Sequence, residues 1–299
     1  MDFGNLPHEQ LATINFTLPP DPIWNREALT GVRTEGAQVY VGCPRWSVKE
    51  WVGDLYPKGT KAADYLTEYA KQFSCIELNA TYHHLHNADD VRKWKAQVAG
   101  RRFKFCPKVF KGISHEGTLD DKDDLTGHFM DSMLAFEEHL GPMFIQLSDY
   151  YSPQRRNELI DYIQALPTDI DFFIELRHPD WFLPDELSAI ASILRTQNKG
   201  LVITDVAGRR DVLHMGLTVP KTLIRFNAYN NHPTNEQRLQ QWVGRIQQWL
   251  EKGLQELYFI IHLHQEIYAP AVVTSFINML NKEAGLSLQA PKPVQPSLF

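Results

Sequence analysis

Cysteine is scarce: Cys43, Cys75 and Cys106 are the only three in 299 residues, an odd set without metal-ligand spacing. That excludes a disulfide-stapled scaffold and favours a reducing compartment, so a cytoplasmic protein is expected. No apolar run approaches the roughly 18 residues needed to cross a bilayer, and no membrane partner is expected. The first ten residues lack the basic and apolar regions of a secretory signal. Positive charge is also short, with 30 Lys and Arg against 36 Asp and Glu, a formal charge of −6. Such a chain does not coat nucleic acid through its overall field. Contact with nucleic acid would need a local basic pocket. No internal repeat is present, and no glycine-rich phosphate turn follows the first strand-like segment, where Gly42-Cys43-Pro44-Arg45 stands.

What is present is an ordinary globular composition, 43% hydrophobic and 22% charged, enough for one large domain. Residues 1–38, with Pro19, Pro20 and Pro22, read as an irregular arm laid against the domain. Residues 286–299, with Pro291, Pro293 and Pro296, read as an extended tail. Between them, over residues 39–285, strand-like and helix-like segments alternate. Strands are predicted at 39–43, 75–81, 102–108, 143–148, 171–177, 201–206, 222–227 and 256–264. Helices are predicted at 61–72, 89–99, 121–139, 153–166, 184–198, 235–252 and 269–283. The clearest helix has Thr234 and Gln237 as a capping box, the stripe Leu239, Trp242, Val243, Ile246, Trp249 and Leu250, and Gly253 at its end. Residues 205–220 carry no clear helix. Eight such units in about 250 residues predict a closed (β/α)₈ TIM barrel of the α/β class.

Alternation along each strand separates lumen from helix-facing side chains. The inward set is Glu77, Asn79 and Thr81; Lys104, Cys106 and Lys108; Gln146 and Ser148; Glu175 and Arg177; Arg225 and Asn227; His262 and His264. A barrel lumen is ordinarily filled by Val, Ile and Leu. This one is predicted to be polar, with four cations against two carboxylates. Buried charges must pair or meet a ligand, so a small anionic ligand, phosphate or carboxylate, is expected at the C-terminal mouth.

The same residues carry a family resemblance. Gly42-Cys43-Pro44-Arg45-Trp46, Trp51-Val52-Gly53, Tyr56-Pro57, Glu77-Leu78-Asn79-Ala80-Thr81-Tyr82, Phe103-Lys104-Phe105 with Lys108 and His115, Gln146-Leu147, and Glu175-Leu176-Arg177-His178 with Trp181 resemble, in order, the motifs of the YecE-like family, domain of unknown function 72. The resemblance implies a TIM barrel with a site at the mouth and no particular reaction. Two strands depart from the family pattern: Arg225-Phe226-Asn227 stands where relatives more often carry His-Gly, and His262-Leu263-His264 where they carry aromatic and Asn residues.

The expected function is an enzyme of hydrolase or lyase type acting on a phosphate- or carboxylate-bearing substrate, a nucleotide or nucleic-acid end among them. Glu175 and His178 would transfer protons. Asn79, Thr81, Tyr82, Lys108, Gln146, Arg177, Trp181, Arg225, Asn227, His262 and His264 would bind substrate. The alternative for Glu175 and Arg177 is mutual neutralisation, with His178 capping the next loop. No cofactor is expected to be required. His262 and His264 with Glu77 or Glu175 could hold a divalent metal, but Lys108, Arg177 and Arg225 fill the shell it would need. The end of the chain, Gln295-Pro296-Ser297-Leu298-Phe299, resembles the Gln-x-x-Leu-Phe peptide that docks bacterial proteins on the sliding clamp. Gln295, Leu298 and Phe299 would be its anchors, and a non-catalytic module recruited by this tail is the rival function.

Overall fold

The structure, a computed structural model, describes residues 3–294. Eight strands, β1 (Gln38–Cys43), β2 (Cys75–Leu78), β3 (Lys104–Pro107), β4 (Met143–Gln146), β5 (Phe172–Glu175), β6 (Gly200–Asp205), β7 (Lys221–Asn227) and β8 (Glu256–His262), form one sheet. Their order is β3-β2-β1-β8-β7-β6-β5-β4, and the sequential pairings are parallel. Parallel bridges Phe105–Leu140 and Lys108–Phe144 join the two ends into a nearly closed barrel. Helices α1 (Tyr65–Gln72), α2 (Ala88–Gln97), α3 (Asp123–Met133), α4 (Arg156–Ala165), α5 (Pro184–Thr196), α6 (Thr234–Glu251) and α7 (Ala269–Glu283) follow the strands, except β6, where one 3₁₀ turn, Arg210–Val212, replaces a helix. This is the predicted (β/α)₈ architecture.

Local chemistry explains the elements. The predicted stripe of α6 is buried throughout, and each such side chain contributes about 1.5–3 kcal/mol of hydrophobic stabilisation. The capping box does not form. The helix begins at Thr234 itself, whose hydroxyl pairs with His232 Nδ1 at 2.8 Å. Gly253 ends it at a φ of +106°, a conformation that glycine adopts without strain. Strand β2 stops at Leu78, short of the predicted Thr81. Ala80–His83 coil into a helical turn, and the buried Thr81 hydroxyl sits 2.7 Å from both Leu78 O and Lys108 O.

The polar lumen that alternation predicts is confined to one layer. Below it the barrel is filled by Tyr40, Cys75, Cys106, Phe144, Phe173, Val202, Leu223, Tyr258 and Ile260, all buried. A Cβ on Gly200 would stand 2.1 Å from the Phe173 ring, so glycine makes the room for that aromatic. Lys104 leaves the lumen altogether, donating to Glu138 O and Leu140 O at 2.9 and 3.1 Å. All three cysteines are free and buried.

The arm is pinned along the outside of the barrel. Gly208 N donates to Gly4 O at 2.9 Å, Asp21 accepts from Arg245 and from Trp249 Nε1, and Gly31 N reaches Lys252 O at 2.8 Å. The described tail, 286–294, is held by Asn281 and Gln72. The clamp-docking anchors Gln295, Leu298 and Phe299 lie outside the described residues. No helix among the described residues is long and apolar enough to cross a membrane.

Asp205, at the end of β6, locks α6 to the sheet. Fully buried, it accepts from Arg238 Nη2 at 2.8 Å and from Trp242 Nε1 at 2.7 Å, and it pairs with Arg210. Removing one partner of a buried ion pair strands the other's charge. Asp205→Ala is expected to cost about 3–5 kcal/mol in urea denaturation. A loss under about 1 kcal/mol would show that the carboxylate does not hold the helix.

Candidate functional site at the barrel mouth

Three strands place charge at the top of the lumen. Arg225 projects from β7 between Glu77 of β2 and Glu175 of β5, all buried. Its Nε and Nη2 donate to Glu77 at 2.8 and 3.0 Å, and its Nη1 donates to Glu175 at 2.9 Å. Glu77 also accepts from Asn79 Nδ2 and contacts His262 Nε2, each at 3.0 Å. Glu175 also accepts from Arg177 Nε and from Gln146 Nε2, each at 2.8 Å. Gln146 Oε1 accepts from Lys108 Nζ at 2.9 Å, so the glutamine amide is oriented from both ends.

These contacts set the titration of the layer. Burial pushes the Glu175 carboxyl up, but Arg177, Arg225 and the Gln146 hydrogen bond outweigh it and hold it at about 2. Burial opposes ionisation of Glu77 likewise, and Arg225 and His262 hold it well below the usual carboxylate range. Lys108 moves the other way. Burial and then Arg225 push its amine down to about 8, with Arg177 adding to the effect and Glu77 and Glu175 opposing it.

Above this layer opens a cleft of about 500 Å³. Its walls include Lys108, Gln146, Arg177, Arg225, Asn227, His262 and His264, all predicted substrate-binding residues. Among the described residues, no carboxylate lines it. Arg177 commits only Nε to Glu175, and its terminal nitrogens make no hydrogen bond among the described residues. Its planar fork is the geometry that takes a carboxylate or phosphate in two parallel bonds.

The remaining predicted residues fall elsewhere. Asn79 supports Glu77 from behind, and the Tyr82 ring lies 4.1 Å from Lys108 Nζ. Thr81 is sealed in its turn, and the fully buried Trp181 gives its indole N–H to Tyr151 O at 2.7 Å, so neither reaches a ligand. The proton-transfer roles of Glu175 and His178 are corrected. A carboxylate saturated by donors and held at about 2 is a poor base. His178 Nδ1 accepts from Asp180 N, capping the next turn, and does not line the cleft. His262 and His264 part company because β8 ends at His262, leaving His264 exposed on the lip. Among the described residues, no group of three or more His, Cys, Asp or Glu is placed to hold a metal ion.

Three contributions escape sequence reasoning. Phe3, Asn5, Leu6 and His8 of the arm form one wall of the cleft, and the Phe3 ring stacks on the guanidinium of Arg177 at 4.0 Å. His115 packs edge-on against Tyr82 and bonds Ser114 at 2.7 Å. Glu266, after β8, has a buried Oε2 without a partner among the described residues, and burial pushes its carboxyl up to about 7. Only His115 carried a signal, its place beside the third-strand motif.

A parallel eight-stranded barrel with helices between its strands belongs to the large class of (β/α)₈ barrels. Within that class, the family model described as "protein of unknown function DUF72" matches residues 40–296, and the chain belongs to that family. The YecE protein of Escherichia coli K12 is 29% identical over 287 residues, covering 87% of this chain and all of that one. Two solved DUF72 structures share the fold. That from Enterococcus faecalis has a TM-score of 0.66 at 18% identity, covering 86% of this chain and 99% of its own. That from Thermotoga maritima has a TM-score of 0.61 at 18% identity, covering 82% and 99%.

The depressed Glu175 value has a consequence for acid stability. Stability from its charge is complete above the ordinary value of 4.5 and is lost as pH falls toward 2. Glu175→Gln is expected to cost about 3–5 kcal/mol at neutral pH, with the gap from the parent narrowing between pH 4.5 and 2. A gap independent of pH, followed by urea titration, would show that charge is not what the position supplies.

Proposed function

We propose that the cleft binds a small organic anion, a carboxylate or phosphate ester, and acts on it by proton transfer. The observation that carries this reading is the wall itself. Lys108, Arg177 and Arg225 line it with histidines, while both carboxylates of the layer lie buried beneath and line none of it. Three cations against two carboxylates leave the layer positive, and a low-dielectric cleft focuses that charge. Arg177 is the anion fork, its flat face braced by Phe3.

His262 is the proton-transfer group. Its Nε2 faces Glu77 at 3.0 Å, and in the neutral ring that nitrogen carries the hydrogen. Nδ1 then holds the lone pair. The carboxylate orients the ring and stabilises the imidazolium that forms when a proton is taken.

Thermal-shift screening with phosphorylated and carboxylated metabolites tests the reading. An anionic compound is expected to stabilise the protein, and Arg177→Met to weaken its binding about ten- to hundredfold, the worth of charge-assisted hydrogen bonds. Equal stabilisation by uncharged analogues, or binding undiminished in Arg177→Met, would reject it. For an anion that is turned over, His262→Gln should lower kcat with little change in KM.

A further inference from the structure

Lys108 differs from the other lysines whose amines are tied down against the barrel. Lys104 is tied to two backbone carbonyls, Glu138 O and Leu140 O. Lys199 is tied to Pro167 O and Ile170 O. Both are anchors. Lys108, only 8% exposed, has one hydrogen-bond partner, Gln146 Oε1, and it lines the open cleft. A neutral amine satisfies that partner with one N–H and keeps its lone pair for the cleft.

We infer that Lys108 is a nucleophilic amine that forms a Schiff base with the carbonyl carbon of a small oxo acid held by Arg177. This deepens the anion-binding reading above and rests on it. The carboxylate of such a substrate occupies the fork, and the carbonyl carbon meets Nζ. The lone pair forms the C–N bond as the carbonyl π electrons move to oxygen. Both amine hydrogens end on that oxygen, carried through the open cleft by solvent, and it departs as water, leaving C=N. Nothing is oxidised or reduced, and no further reactant is needed.

The surroundings favour the amine. An amine becomes nucleophilic when it is desolvated or set beside other cations. Here burial acts first, then Arg225 and Arg177, against the opposing pull of Glu77 and Glu175. The Tyr82 face, 4.1 Å from Nζ, favours the ammonium and opposes these effects. With its amine at about 8 instead of the ordinary 10.5, Lys108 carries about three hundredfold more free base at neutral pH than an exposed lysine.

Reductive trapping decides the matter. The intact protein is incubated with pyruvate and sodium cyanoborohydride at about pH 7.5, where hydride reduces C=N to a stable secondary amine, and the sites are mapped by peptide mass spectrometry. The expected result is an adduct concentrated at Lys108, about a hundredfold above exposed lysines, absent from Lys108→Arg. Acetone, a carbonyl without a negative charge, should label it about tenfold less. Labelling spread over surface lysines with Lys108 untouched overturns the Schiff base. It leaves anion binding standing where thermal shift still shows an anion bound through Arg177. Equal labelling of Lys108 by acetone and pyruvate overturns the oxo-acid assignment and, with it, the part given to Arg177.

Discussion

Arg225 stands at the centre of the barrel's upper layer, with Glu77 on one side and Glu175 on the other. The three residues come from β7, β2 and β5, so their hydrogen bonds cross the lumen instead of following the sheet. Two buried carboxylates without that guanidinium would repel each other and resist ionisation. With it, both remain charged, and each in turn fixes a further residue: Glu77 orients His262 and Asn79, and Glu175 orients Arg177 and Gln146. The geometry of the cleft is therefore an outgrowth of one buried ion triad.

The apolar filling below matters to this layer. Tyr40 stacked on Tyr258, with Phe144 and Phe173 beside them, seals the lumen beneath the charges and keeps the local dielectric low. Coulomb interactions in such surroundings act at several times their strength in water. The same environment that sharpens the pairing of Glu77 and Glu175 with Arg225 pushes the amine of Lys108 down. One arrangement thus yields carboxylates that stay ionised and an amine that gives up its proton readily.

The arm changes what the barrel mouth is. A (β/α)₈ barrel builds its site from loops after the strands. Here a segment from the start of the chain returns to supply one wall and lays Phe3 across the face of Arg177. Phe3 also lies 4.7 Å from the guanidinium of Arg209, so its ring contacts two guanidiniums. The loop after β6, with no helix of its own, leaves space for this return.

Periodicity determined the barrel, because apolar residues spaced by two and by 3.6 permit few ways of burying both faces of a parallel sheet. The stripe of α6 and the eight strands were readable for that reason. Alternation also picked out Lys108, Gln146, Glu175, Arg177, Arg225 and His262, since a charge on a buried strand has few explanations. Which of them face a ligand and which face one another depends on distances across the lumen, and no local pattern encodes those. So Glu175 looked like a base until three donors were seen around it. Thr81 looked inward until β2 ended three residues early, and Trp181 looked like a substrate contact until its indole was found buried. Phe3 reaches the mouth only because the start of the chain folds back over the barrel. Spacing along the chain determines which residues share a face; closure of the barrel decides which charges meet.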